Sequence, residues 1–129
     1  MKKIISVLVI SALLLTAVVL EQVFVQNTLD TLLAKIETFD KEISKVTDIN
    51  TQALVDISTE LDQYWTEKEK ILCLSINHND LNKVGEQIKK IVVYVDQNNK
   101  DDCIYELEIL KFYAKSYKHV MEINLQNIF

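Results

Sequence analysis

The residues that most often perform chemistry in proteins are scarce in this chain, and their spacing fits no familiar metal site. The chain has two histidines and two cysteines, His78, His119, Cys73 and Cys103. A zinc protease needs two histidines four residues apart, and redox or zinc sites commonly use a CxxC pair, but neither spacing occurs. A di-iron bundle needs a glutamate three residues before each histidine, where this chain has Ser75 and Ser116. The sequence therefore predicts no metal site and no cofactor.

Sites for nucleophilic catalysis or phosphate binding are also poorly supported. The only glycine, Gly85, cannot form a phosphate-binding loop alone, and no serine or cysteine lies on a glycine-flanked turn. The carboxylates are expected on solvated helix faces. We therefore expect no enzymatic activity and no catalytic residue.

The histidines and cysteines have simpler structural interpretations. His78 is expected at a helix C-terminus, where an imidazole can donate to the last free carbonyls. His119 is expected to be solvated or half-buried on a helix. Cys73 and Cys103 are predicted near the ends of two helices separated by an antiparallel helix of about 18 residues, or roughly 25 Å. That distance is too long for a disulfide, so we expect two free and mostly buried thiols.

An uncharged run, Ile4–Leu20, determines where the chain resides. Twelve of its seventeen residues are Ile, Leu or Val, Lys2 and Lys3 precede it, and Glu21 follows it. Such a run favours insertion into a bilayer, and the flanking lysines favour a cytoplasmic N-terminus with the remainder outside the cell. The competing interpretation is a cleaved signal peptide, but Ala17–Leu20 is a poor cleavage site. We predict a single-pass cell-membrane anchor over residues 1–25, with a short cytoplasmic tail.

The sequence gives weak support for a homodimer and none for a nucleic-acid partner. Ala12 and Thr16 are small and four apart, a spacing that lets two membrane helices approach and so suggests a homodimer. After Leu20, nineteen acidic residues outnumber twelve lysines, a net charge of −7, and there is no arginine. Such a surface is unsuited to binding nucleic acid.

Residues 26–129 are predicted to form one all-α domain. The chain has no proline and one glycine, so tight turns and hairpins are disfavoured. Apolar residues recur at steps of three and four in four segments, which start at Leu29, Leu54, Leu81 and Ile104. Short connections favour antiparallel neighbours, so we expect an up-and-down bundle of about four helices. No helix breaker separates the first of them from the anchor, which allows the two to be continuous.

Polar residues mark the expected helix ends. Cap-forming side chains in Thr47–Thr51 end the first helix, and the second runs to about His78. Asn79 or Asp80 is placed to cap the third helix, which includes the β-prone run Ile91–Val95. Asp96–Asp101 is the clearest turn.

Aromatic residues at helical spacing have two interpretations. Tyr64 and Trp65 lie mid-helix, and the last helix carries Tyr105, Phe112, Tyr113 and Tyr117. Such a stripe usually belongs to a core. The functional alternative is a groove that presents Trp65 and a tyrosine to a partner helix or peptide.

Several of these features together resemble the small membrane proteins of clostridia and bacilli grouped as domain of unknown function 4363. The matching features are the N-terminal anchor, Trp65 with Lys68, His78-x-Asp80-Leu81, Glu106-Leu107 with Leu110-Lys111, and Asn127-Ile128-Phe129. The resemblance implies a helical extracytoplasmic domain on one anchor in a Gram-positive bacterium, and it implies no activity. Trp65, Lys68, His78, Asp80 and Tyr113 are the candidate interaction or motif positions.

Two functions remain open from the sequence. The first is a non-catalytic module of the bacterial envelope that presents a helical face to another envelope protein. The second is a four-helix ectodomain that senses a small ligand. Because only Met1–Lys3 would lie in the cytoplasm, a sensor would require a separate membrane partner to pass on its signal.

Overall fold

Four helices account for nearly all of the computed structural model, which describes residues 1–128, with side chains to residue 123. They are α1 (Lys2–Ser44), α2 (Gln52–Leu72), α3 (His78–Asp96) and α4 (Lys100–Ile128), and residues 1–128 contain no strand. The all-α prediction is therefore confirmed.

Helix α1 joins the apolar run to the bundle without a break. Its 43 residues span about 64 Å at 1.5 Å per residue, and neither glycine nor proline interrupts them. Side chains before Val25 are exposed or half-buried, and the first fully buried one is Val25 itself. From there the spacing of Leu29, Leu32, Ile36, Phe39 and Ile43 turns one face into the core. The predicted continuity of anchor and first helix is confirmed.

The helices form a ring in which α1 contacts α2, α2 contacts α3, α3 contacts α4, and α4 closes on α1. As residue numbers rise along one helix, the numbers of their partners fall along the neighbouring helix. On α1 and α4, Lys111 pairs with Asp40 and Lys118 with Asp30, each at 2.6 Å. The ring is therefore an antiparallel, up-and-down bundle whose apolar stripes meet in one core.

The β-prone run is helical because its apolar residues suit a helix face. Ile91 and Val95 lie one turn apart in α3 and both are fully buried. Packing of that face outweighs the local preference of β-branched residues for strands.

Two predicted helix ends near the α2–α3 connection were wrong. Helix α2 ends at Leu72 rather than near His78. Asn77, not Asn79 or Asp80, is the N-cap of α3, because its side chain accepts a hydrogen bond from the Asn79 N–H at 2.8 Å. His78 is consequently the first residue of α3 rather than the end of a helix.

The connections at the opposite end of the bundle contact each other through Asn98. Asn98 has a left-handed φ of 55°. Its Oδ1 accepts from the Ile49 N–H at 2.7 Å, and its Nδ2 donates to Asp48 at 3.0 Å. The Lys100 ammonium also donates to the Val46 carbonyl at 2.6 Å. These bonds hold the α1–α2 and α3–α4 connections together.

Substitution of Asn98 should separate the contribution of its side-chain hydrogen bonds from that of its tolerance of a positive φ. Asn98→Gly removes both side-chain hydrogen bonds but tolerates the positive φ, whereas Asn98→Ala also introduces backbone strain of about 1–2 kcal/mol. We expect both variants to be less stable than the parent and the alanine variant to be the less stable of the two. Urea unfolding of the detergent-solubilised full chain, followed by circular dichroism, measures this difference. Equal stabilities for the two variants would contradict the assignment.

Candidate functional site

The histidines and cysteines do not assemble into a reactive site. Among the residues that the structure describes, no group of three His, Cys, Asp or Glu side chains could hold a metal ion. His78 is exposed at the start of α3, and His119 is exposed on α4. Cys73 and Cys103 lie at opposite ends of the bundle, and both thiols are free.

The two thiols differ in their surroundings. Cys103 is fully buried, and burial, with a smaller contribution from Asp40, raises its pKa from 9.0 to about 12. Cys73 is exposed, with its Sγ donating to the Lys70 carbonyl at 3.0 Å. The expectation of two mostly buried thiols is therefore correct for Cys103 only, because α2 ends at Leu72 and Cys73 is its exposed C-cap.

Trp65 belongs to the core. Its side chain is 1% exposed, and its indole faces Gly85, where an added Cβ would lie 3.4 Å from Nε1. The indole N–H is buried and has no hydrogen-bond partner. A groove that presents Trp65 to a partner is therefore absent from the surface, because the indole lies between α2 and α3.

Tyr64 and Lys68 form part of the α1–α2 interface. The Tyr64 hydroxyl donates to the Thr28 carbonyl at 3.2 Å, and burial raises its pKa. The Lys68 ammonium lies over the ring of Phe24, 5.6 Å from its centroid, and over Tyr64 at 5.7 Å. These contacts join the two helices and give Lys68 a structural partner.

Tyr113 and Asp80 contribute to the α3–α4 interface. Tyr113 is half-buried and its ring stacks on Tyr117, with centroids 6.4 Å apart. The Tyr117 hydroxyl reaches the backbone carbonyl of Asp80 at 3.4 Å. Four of the five sequence-predicted positions are thus distributed over three interfaces, His78 is exposed, and the five are not brought together.

A stripe on the outer face of α4, apolar or aromatic at four of its six positions, was not predicted from the sequence. We call this the outer stripe; it consists of Tyr105, Ile109, Phe112, Ser116, His119 and Ile123. Tyr105 is 65% exposed and Phe112 is 67% exposed, although the surrounding surface is charged. The residues of the outer stripe are spaced alternately by four and three positions, which is the spacing of the seam of a coiled coil. That spacing was available in the sequence, but it is interleaved with the stripe that faces the core.

A second surface, with several exposed apolar side chains around Glu21 and Ser75, lies at the end of the bundle next to the apolar run. We call this end the base and define it by Glu21, Val23, Ile71, Cys73, Leu74, Ser75 and Val120. Ser75 donates a hydrogen bond to Glu21, which places the α2–α3 connection beside the end of the run. Leu74 is 81% exposed and Ile71 is 50% exposed.

An open groove of about 320 Å³ lies between α1 and α2. Its lining residues are Thr31, Ala34, Lys35, Thr38, Ile57, Glu60 and Leu61. All of its polar side chains are at least partly exposed, and the Lys35 ammonium already lies 5.1 Å from the Tyr64 ring centroid. The groove has hydroxyl, ammonium and carboxylate groups but no buried polar group directed into it.

Comparison with protein families shows which family the chain belongs to. The family model described as Domain of unknown function (DUF4363) matches residues 19–128. The chain belongs to the DUF4363 family. No curated protein and no solved structure matches it.

The DUF4363 match covers the whole bundle, both surfaces described above and the last two residues of the apolar run. Its description assigns no activity, so the function must be inferred from the surfaces themselves.

The thiols provide a test of the fold. In the detergent-solubilised full chain, N-ethylmaleimide should modify Cys73 but not Cys103, because the thiolate is the reactive form and Cys103 is both buried and protonated. Denaturation should expose the second thiol. Mass spectrometry counts the modified groups, and Cys73→Ser is the control that should show none before denaturation. Rapid modification of Cys103 in the folded chain would contradict the structure.

Proposed function

We propose that this protein is a non-catalytic interaction module of the bacterial envelope, tethered by residues 4–20 to the cytoplasmic membrane. Its N-terminus lies in the cytoplasm and its bundle lies outside. The outer stripe of α4 binds a helix of another envelope protein. The observation that carries this proposal is the exposure of Tyr105 and Phe112 at coiled-coil spacing on a helix whose other face is already buried.

Several properties of the apolar run support the tether. Helix α1 contains an 18-residue window of mean hydropathy 2.6, none of which is buried in the described structure. Its central Ile, Leu and Val residues each favour insertion by about 0.3–0.6 kcal/mol, and no charge opposes them. Lys2 and Lys3 support the cytoplasmic position of the N-terminus.

The chemistry of the outer stripe supports a helical partner. Tyrosine and phenylalanine bury large areas on binding and are common anchors of protein interfaces. Glu108, Lys115 and Glu122 are exposed at heptad spacing along one flank of the stripe. A partner helix with the charge order basic, acidic, basic would complement this flank.

The α1–α2 groove gives less support to a ligand sensor. Small-molecule sites usually enclose the ligand and direct a few buried polar groups at it. This groove is open, and its polar side chains are solvated. The outer stripe is therefore the better basis for a function.

Membrane topology can be tested with a thiol on the end of the bundle away from the membrane. In a Cys73→Ser background, Thr47→Cys places one reactive thiol on the α1–α2 connection, while Cys103 stays buried. A membrane-impermeant maleimide should label this variant in intact cells, and Cys73→Ser alone should stay unlabelled. Labelling only after lysis would contradict an extracytoplasmic bundle.

Binding through the outer stripe can be tested by photo-crosslinking in the native membrane. A photoreactive residue at Phe112 should give a discrete adduct, whereas one at Gln63, exposed on α2, should not. Tyr105→Glu, two turns away, should reduce the Phe112 adduct by roughly tenfold or more, as expected for an interface anchor worth at least about 1.4 kcal/mol. The same adducts from both positions, no adduct, or an adduct only between two copies of this chain would contradict a helix of another protein as the partner.

A further inference from the structure

The α2–α3 connection lies at the level where the apolar run ends. Along the antiparallel α1–α2 interface, Tyr64 contacts Thr28, Lys68 lies over Phe24, and Ser75 bonds to Glu21. Residues further along the chain from Tyr64 to Ser75 therefore contact residues of α1 that lie progressively closer to the apolar run. Leu74, beside Ser75, is 81% exposed at this level.

Charge is distributed unequally between the two ends of the bundle. Residues 71–79 form a stretch without Lys, Asp or Glu, and His78 is its only histidine. At the opposite end, the segments 45–51 and 96–102 carry six charged residues, Lys45, Asp48, Asp96, Lys100, Asp101 and Asp102. In a chain of which 26% is charged, the uncharged connection is the one beside the apolar run.

The length of the run brings the base towards lipid. Seventeen helical residues span about 25 Å, whereas the hydrocarbon core is about 30 Å thick. A short span is accommodated by local thinning of the bilayer and by drawing flanking residues into the interface. Because α1 continues unbroken into the bundle, drawing Glu21 and Val23 inwards also brings Leu74 and Ile71 to the bilayer.

From these observations we propose that the base of the bundle lies in the interfacial layer of the bilayer, with Leu74 and Ile71 in contact with lipid. The inference rests on the proposed membrane anchor and extends it. The occupant of this apolar surface is the bilayer itself. Because the contacting residues are apolar and uncharged, the contact needs no anionic lipid and is insensitive to salt.

The contact gives the module a second attachment to the membrane. A bundle on a flexible stalk samples many orientations, whereas one held by both α1 and its base keeps a narrow range of tilts. The outer stripe of α4 is then presented roughly parallel to the membrane normal. A partner anchored in the same membrane meets it in one orientation.

Depth-dependent quenching in phosphatidylcholine vesicles tests this inference on the full chain. Cys73, at the base, can carry an environment-sensitive fluorophore while buried Cys103 stays unlabelled. Two reference labels are introduced in a Cys73→Ser background, Leu13→Cys within the run and Thr47→Cys at the far end. Brominated lipids should quench the labels at positions 13 and 73 and leave the label at position 47 unchanged.

A charged substitution at the base should weaken the contact. Leu74→Asp should reduce quenching of the Cys73 label and shift its emission to the red, whereas Thr47→Asp should leave both unchanged. Raising the salt concentration should also change neither.

The outcomes distinguish the inference from the proposal on which it rests. Quenching at position 13 without quenching at Cys73 would overturn the contact of the base and leave the anchor standing. Quenching at Cys73 that Leu74→Asp does not change would also overturn it. Absence of quenching at position 13 would show that the run does not insert, and the inference would fail with the anchor.

Discussion

The unbroken helix α1 is the constraint on which the rest of the molecule depends. Its residues 2–18 are exposed throughout, and its second half contributes one wall of the core from Val25 onward. A helix without glycine or proline has no position at which to bend sharply. The orientation of the apolar run therefore determines the orientation of the bundle.

The bundle has two chemically different ends. At the far end, the α1–α2 and α3–α4 connections both carry charged residues. Asn98 and Lys100 join these two connections by hydrogen bonds. At the base, the α2–α3 connection carries no charged residue, and its Ser75 donates a hydrogen bond to Glu21 of α1. This difference is the pattern expected of a domain with one end in water and the other near lipid.

Several groups with reactive potential are used in packing, whereas Cys73, His78 and His119 are exposed. Cys103 is protonated in the core and Trp65 fills the space beside Gly85. Tyr64 and Tyr117 hold neighbouring helices through backbone carbonyls. The outer stripe of α4, by contrast, leaves Tyr105 and Phe112 exposed.

Much of the architecture was predictable from the sequence, because apolar spacing and the near absence of glycine and proline are local properties. The helical class, the number of helices, the continuity of α1 and the helical state of Ile91–Val95 all follow from them. The helix ends around Asn77 were less predictable, because several adjacent asparagines could each form the cap. The sequence by itself determined that the chain is an apolar helix followed by a bundle of amphipathic helices. Only the tertiary structure decided that Trp65 is inaccessible, that Tyr105 and Phe112 are exposed, and that Leu74 lies beside the end of the apolar run. Those facts depend on which helices are neighbours and in what register, and spacing along one chain does not specify contacts between distant segments.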